Sequence, residues 1–406
     1  MDYQTHVLPN GIRLIHIQSN TSVAHCGFFI NAGSRDEKEH EHGVAHYIEH
    51  LLFKGTKRRK SFHILSRLED VGGELNAYTT KEETCIHASF QKEYLGRALE
   101  LISDIVFQSN FAPKAMDSER EVIIDEINSY KDSPSELIYD EFEENFFKGH
   151  PLSLNILGSI KSLKKINRER ILSFIEANYH TNQMVLSSVG AIPFNKVKFW
   201  FEKYFGEVPS NLLSDSRTSF TGYTPFEKIV QRKTFQIHAL LGNTGYDMKD
   251  ERRIGLHLLS NIIGGPGMIS RLNLALRERN GYSYNVESSY TPYSDSGLFT
   301  VYFSADKDNL DKCFETIYKE FDVLKNQPLG SLQLKKAKQQ LTGQLAISFE
   351  SYENQMLSAG KSLLVYNKVD SLEDLFAKIE AISASELRDI ANEILDRNKI
   401  STLIYK

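Results

Sequence analysis

Positions 43–56 read G-V-A-H-Y-I-E-H-L-L-F-K-G-T, which puts His46, Glu49 and His50 close together inside an apolar run. The apolar spacing is helical, and on a helix positions i, i+3 and i+4 fall on one face. His46 and His50 are therefore one turn apart, and both imidazoles can reach a single ion at about 2.0–2.1 Å from each nitrogen. Glu49 lies beside them, next to the position such an ion leaves open for water. The order His-x-x-Glu-His reverses the commoner zinc-protease order. The alternative is plainer: the three are the polar edge of an ordinary amphipathic helix whose core face is Val44, Ile48, Leu51 and Leu52. Two histidines do not complete a catalytic zinc site, which takes three protein ligands and one water. If the cluster holds a metal, a carboxylate has to arrive from elsewhere.

The segment D-S-E-R-E-V-I-I-D-E-I-N-S-Y at 117–130 is the obvious source. Glu119 and Glu126 are two helical turns apart and share a face, with Val122, Ile123 and Ile127 expected on the buried side. Acidic helices are common as solvated faces, so this pairing raises the metal reading only in part. His40, His42 and His63 read as bystanders.

Around these segments the chain alternates between strand and helix patterns. Residues 11–31 and 75–90 alternate apolar and polar as strands do, with Pro9-Asn10-Gly11 as a turn. Helical spacing is expected over 43–53, 61–71, 92–108, 113–131, 134–147 and 167–178, and a strand over 184–190. Residues 209–226 are rich in Ser, Thr, Pro and Gly and read as a linker. The order of elements then repeats: strand 234–242, helices at 251–263 and 270–279, strands within 282–304 and helices after 308. The expected architecture is α+β, with two structurally similar domains, each a mostly antiparallel sheet packed against helices. The boundaries are 1–212 and 227–406, joined by a linker at about 213–226. The second copy has no counterpart of the His-Glu-His cluster.

Bulk properties exclude several classes. With 406 residues the chain is too long for one ordinary core, and a net charge of −5 gives no reason to expect nucleic acid or an anionic membrane as partner. The cysteines, Cys26, Cys85 and Cys313, are far apart and odd in number, which argues against a disulfide framework or a thiolate zinc site. The N-terminus shows neither secretory nor transit pattern, and no apolar stretch approaches the roughly 20 residues that span a bilayer. A cytoplasmic protein is the expectation.

The cluster closely resembles the zinc-site segment of the pitrilysin family of inverted-motif metallopeptidases, which includes mitochondrial processing peptidase and insulin-degrading enzyme. The resemblance extends in order and spacing to L-P-N-G-I-R-L at 8–14, G-G-E-L-N-A-Y-T-T-K-E at 72–82 and S-E-R-E-V-I-I-D-E-I at 118–127. It implies one Zn2+ per chain held by His46, His50 and Glu126, with Glu49 as general base and Glu119 supporting the site. Residues 262–284, I-I-G-G-P-G-M-I-S-R-L-N-L-A-L-R-E-R-N-G-Y-S-Y, resemble the family's Gly-rich turn and Arg…Tyr pair, assigning Arg277 and Tyr284 to the scissile carbonyl and its oxyanion. Asn76, Ala77, Tyr78 and Thr79 resemble the edge strand on which an extended peptide lies as an added strand. The implied assembly is a homodimer, and the implied activity is endopeptidase cleavage of unfolded peptides or short extended segments. A non-catalytic scaffold of the same fold and a targeting-peptide processing enzyme are the competing readings. Tyr47-Ile48 stands here where the family usually carries Phe-Leu between the ligands.

Overall fold

The computed structural model describes residues 3–213 and 217–406; residues 214–216 of the expected linker lie outside the described residues. The chain forms two compact units. Unit 1 takes Met1–Ser129, Leu154–Arg217 and Ile347–Asp370; unit 2 takes Tyr130–Ser153, Thr218–Ala346 and Ser371–Lys406. Each unit thus draws most of its residues from one half of the chain and a helix from the other.

In unit 1 the strands are β1 (Tyr3–Val7), β2 (Arg13–Gln18), β3 (Val23–Ile30), β4 (Glu74–Thr79), β5 (Thr84–Gln91) and β6 (Met184–Gly190). They lie in the order β1-β2-β6-β3-β5-β4. Only β2 and β6 pair in parallel; the other neighbours are antiparallel. Every residue of β6 is buried, as a central strand covered on both faces requires. One face packs against α1 (Val44–Leu52), α2 (Ser61–Glu69), α3 (Leu95–Gln108) and α4 (Pro113–Lys131), and residues from the later α7 (Arg168–Asn178) and α8 (Phe194–Phe205) join the same core. Between α4 and α7 the chain forms α5 (Pro134–Phe146) and the short α6 (Ile160–Leu163).

The other face of this sheet carries Ile15, Ile17, Phe29, Cys85, Val185 and Val189, all buried. It is covered by a helix from the far end of the chain, α12 (Tyr352–Tyr366), through Met356, Ala359, Leu363 and Leu364. Two glycines permit this approach. A Cβ on Gly360 would stand 2.1 Å from Phe29 Cε2, and one on Gly27 would stand 2.6 Å from Met356 Sδ.

Unit 2 holds β7 (Glu227–Val230), β8 (Ile237–Gly245), β9 (Ser283–Pro292), β10 (Gly297–Ala305) and β11 (Ser401–Tyr405) in the order β7-β11-β8-β10-β9. Again the first pair is parallel and the rest antiparallel. The order repeats β2-β6-β3-β5-β4 strand for strand. One core joins the sheet to α9 (Arg253–Gly264), α10 (Leu310–Asn326) and α14 (Ala384–Ile394), with α11 (Ser331–Phe349) contributing partly buried residues and α13 (Leu372–Ala381) preceding α14. The opposite face, with Leu240, Tyr302, Leu403 and Tyr405, is covered by Ile138, Phe142 and Phe146 of α5. The exchange is reciprocal: α12 covers the first sheet and α5 the second.

Two local expectations need correction. Val122 is 47% exposed, whereas the buried stripe of α4 runs through Met116, Glu119, Ile123 and Ile127. Its 3- and 4-residue steps follow the helical period and put a carboxylate, not a valine, on the inner face. The helix expected over 270–279 is instead a π-helical segment at Asn273–Glu278, in which the Arg279 N–H reaches back to the Leu274 carbonyl.

Candidate metal centre

Helix α1 occupies the place between β3 and β4, as α9 does between β8 and β9. Val44, Ala45, Tyr47, Ile48, Leu51 and Leu52 are all buried, so the apolar face of α1 is spent on the core and fixes its rotation. The Tyr47 hydroxyl donates to the Met116 carbonyl of α4, tying the two helices together one turn before Glu119. The remaining face of α1 carries His46, Glu49 and His50 toward α4.

The structure brings the three expected ligands together. His46 Nε2 is 3.8 Å and His50 Nε2 is 3.6 Å from Glu126 Oε2. Ligand atoms of these three residues all lie within 4.8 Å of one another. These separations exceed ordinary hydrogen bonds. Two atoms each about 2.0–2.2 Å from a shared ion stand about 3.3–3.8 Å apart at tetrahedral or slightly wider angles. The donor set therefore fits a divalent zinc ion, with two imidazoles and one carboxylate.

The next layer of contacts orients His50. Glu119, 5% exposed, receives His50 Nδ1 at 3.2 Å on Oε2 and the Lys54 ammonium at 2.8 Å on Oε1. Holding Nδ1–H in this way turns Nε2 toward Glu126 and fixes the tautomer a metal ligand needs. Lys54 had no role in the sequence reading; its i+4 spacing from His50 was the available signal. His40, His42 and His63 are not part of the group.

Electrostatics sort the site. Burial, with the neighbouring His50, brings the His46 pKa down to about 4, so its ring is neutral at pH 7. Burial also pulls on His50, but the neighbouring Glu126 carboxylate and the bond to Glu119 outweigh this and raise its pKa. Glu126 is held below the usual carboxylate range, first of all by the His50 imidazole beside it. Burial raises the pKa of Glu49, partly offset by the Thr79 hydroxyl and by His50. That hydroxyl lies close to the carboxylate without completing a well-formed hydrogen bond.

The expected peptide-binding residues lie on β4, the edge strand of the first sheet. Its alternation divides them by face. Ala77 packs with the helix-side core, while Tyr78 packs on the face that α12 covers. Asn76 shares the Tyr78 face and Thr79 the Ala77 face. Arg277 and Tyr284 belong to unit 2, whereas His46, His50 and Glu126 belong to unit 1. Arg277 stands in the π-helical segment, half-exposed, with its Nε 3.7 Å from Glu278. Tyr284 on β9 is 60% exposed and donates to Asp306 Oδ2 at 3.3 Å. Segments of π-helix are rare and recur at functional sites, and Arg277 is one of the six residues in this one.

Comparison with known proteins accords with this geometry. A family profile described as insulinase (peptidase family M16) matches residues 13–159, and one described as peptidase M16 inactive domain matches residues 165–341. A Bacillus subtilis protein named uncharacterized zinc protease YmxG is 30% identical over 398 residues, covering 97% of this chain and 96% of that one. The mitochondrial-processing peptidase subunit beta of Caenorhabditis elegans is 30% identical over 409 residues, covering 98% of this chain and 88% of that one. A crystal structure of a protease from Helicobacter pylori superposes with a TM-score of 0.92 at 21% identity, covering 100% of this chain and 99% of that one. Likeness of this extent, across both halves, places the chain in the insulinase family of peptidases, M16, in its two-domain, pitrilysin-like form.

Proposed function

We propose that this protein is a zinc-dependent endopeptidase acting on unfolded peptides or short extended segments. The observation that carries the reading is the convergence of His46 Nε2, His50 Nε2 and Glu126 Oε2, with Glu119 holding the far side of His50. Relatives that are named zinc proteases support it. Zinc bound there would polarise the scissile carbonyl and bring the pKa of the attacking water toward 7.

The protein's own groups do the rest. Glu49 takes the proton from the attacking water and returns it to the leaving nitrogen. Burial raises the Glu49 pKa, the direction that favours returning the proton. The substrate backbone pairs with the open edge of β4, and a strand added there is recognised mainly through its main chain. Ala77 and Thr79 then border the reacting face. Arg277 and Tyr284 would hold the carbonyl oxygen as charge develops on it. We place these parts in a homodimer, because this one chain carries both the His46, His50 and Glu126 set and the Arg277 and Tyr284 pair. Its solution mass should be near twice 46.4 kDa.

The test is digestion of a mixed peptide library by purified protein, with and without chelator, beside Glu49→Gln. Chelator-sensitive cleavage is expected in the parent. The variant should bind zinc as tightly and lose turnover by about 100-fold or more. Retained cleavage in zinc-loaded Glu49→Gln refutes the role of Glu49; no chelator-sensitive cleavage of any peptide favours a scaffold. Relatives include mitochondrial processing peptidases, so cleavage confined to targeting-like peptides would identify a processing enzyme.

A further inference from the structure

His46 and His50 are not held alike. Glu119 engages Nδ1 of His50, whereas Nδ1 of His46 is buried with no hydrogen-bond partner among the described residues. The placement of the His46 ring therefore rests on its packing and on the first turn of α1, in which it is the third residue.

That turn has an uncommon start. Its N-cap is Gly43, in the left-handed region at φ +91°, with no side chain to bond the free N–H groups. A Cβ at this position would come within 2.9 Å of Gly158 Cα, where the two backbones cross. Ser, Asp or Asn, the usual capping residues, cannot stand there without moving the crossing. Glu37 takes over. Its Oε2 accepts from the Gly43 N–H and its Oε1 from the Ala45 N–H, each at 2.8 Å, from six and eight residues upstream. The side chain is 5% exposed, so water does not compete for these donors. Its two acceptor oxygens satisfy orphan N–H groups at the start of the helix. The adjacent Asp36 is itself anchored, accepting from the Gly33 N–H at 2.9 Å and from Arg217 twice at 2.7 Å.

We infer that Glu37 is a positioning residue for the metal centre: by capping α1 from a distance it fixes the first turn and, through it, His46. This rests on the zinc reading proposed above. Losing the cap frees the N–H groups of the turn that carries His46, while Glu119 still holds His50. The consequence is weaker metal binding, in excess of any general loss of stability.

The experiment compares the full-length parent with Glu37→Gln, Glu37→Ala and Ser187→Ala. Zinc affinity is read by competition with a chromophoric chelator, and thermal stability is read on the chelated proteins. Gln offers one acceptor where Glu offers two, and Ala offers none. Ser187 donates to the Met356 carbonyl at 2.7 Å and is buried where α12 meets the sheet, so its variant controls for a lost buried bond away from α1. Zinc affinity should fall about tenfold in Glu37→Gln and further in Glu37→Ala, the range seen when support of a ligand is removed. Amide hydrogen exchange at Ala45 and His46 should quicken in the chelated variants. Ser187→Ala should melt earlier with zinc affinity unchanged. The inference is overturned if the Glu37→Gln protein, folded by its melting transition, binds zinc within about twofold of the parent. It is equally overturned if Ser187→Ala loses as much affinity. Failure of the parent itself to bind zinc would remove the proposed function as well, and so is told apart from failure of Glu37 alone.

Discussion

Replacing Glu119 isolates how much of the metal affinity comes from orienting one ligand. The carboxylate receives two donors on separate oxygens, His50 Nδ1 on Oε2 and Lys54 Nζ on Oε1. Glutamine can keep an acceptor on only one of them. The Lys54 side chain is 36% exposed and can turn to water, so the amide oxygen remains with His50 and most orientation survives. Alanine removes the acceptor altogether and leaves Nδ1–H of His50 unpaired beside a small cavity. Loss of such support costs about 10–100-fold in metal affinity, or about 1.4–2.7 kcal/mol. Glu119→Gln belongs at the lower end and Glu119→Ala at the upper. The assay is zinc titration against a chelator of known affinity, followed by peptide cleavage at saturating zinc. Turnover should largely recover there, because Glu119 orients a ligand and does not itself touch substrate. If both variants keep zinc affinity within about twofold, the bond from His50 to Glu119 does not support the centre. If turnover stays abolished with zinc bound, Glu119 has a direct part in the reaction.

Two further outcomes follow from packing and protonation. Gly360→Ala puts a methyl group 2.1 Å from Phe29 Cε2, so α12 must shift from the sheet; overpacking of this kind costs about 1–3 kcal/mol, and an unchanged urea midpoint would contradict the close approach. His16 is buried between Ser188 Oγ and the Ile192 carbonyl, and burial, against the backbone bonds, lowers its pKa below 6.5. The unfolded chain then takes up the proton first, so its contribution is full above about pH 6.5 and lost as pH falls below that value. Urea midpoints measured from about pH 8 to pH 5 should decline less steeply in His16→Gln than in the parent; identical slopes would show that His16 keeps its ordinary pKa.

Local patterns were enough for part of this protein. The i, i+4 spacing of His46 and His50 and the seven-residue spacing of Glu119 and Glu126 are properties of a helix, legible before any tertiary contact forms. The same holds for the core face of α1 and for the bounds of α4 and β6, which fall where the pattern puts them. The repeat of sheet order was legible as a repeat of elements. Which residues lie between helices was not. Val122 and Glu119 are both permitted on the inner side of α4 by periodicity, and only packing shows that the carboxylate is buried while the valine is not.

Tertiary structure decided what depends on distant partners. Covering the first sheet with α12 and the second with α5 rests on pairings such as Phe29 with Gly360, which no local spacing encodes. The division of Asn76, Ala77, Tyr78 and Thr79 between two faces became meaningful only once each face had a cover. Glu37 is the clearest case. In the chain it is one acidic residue in a charged loop; in the fold it is the buried cap of the helix that carries His46 and His50. By itself the sequence determined that His46 and His50 could reach one ion, because their spacing along a helix is local, while Glu126 was reached only through the family resemblance. The fold alone decided how firmly they are held, because that depends on buried bonds between segments far apart in the chain.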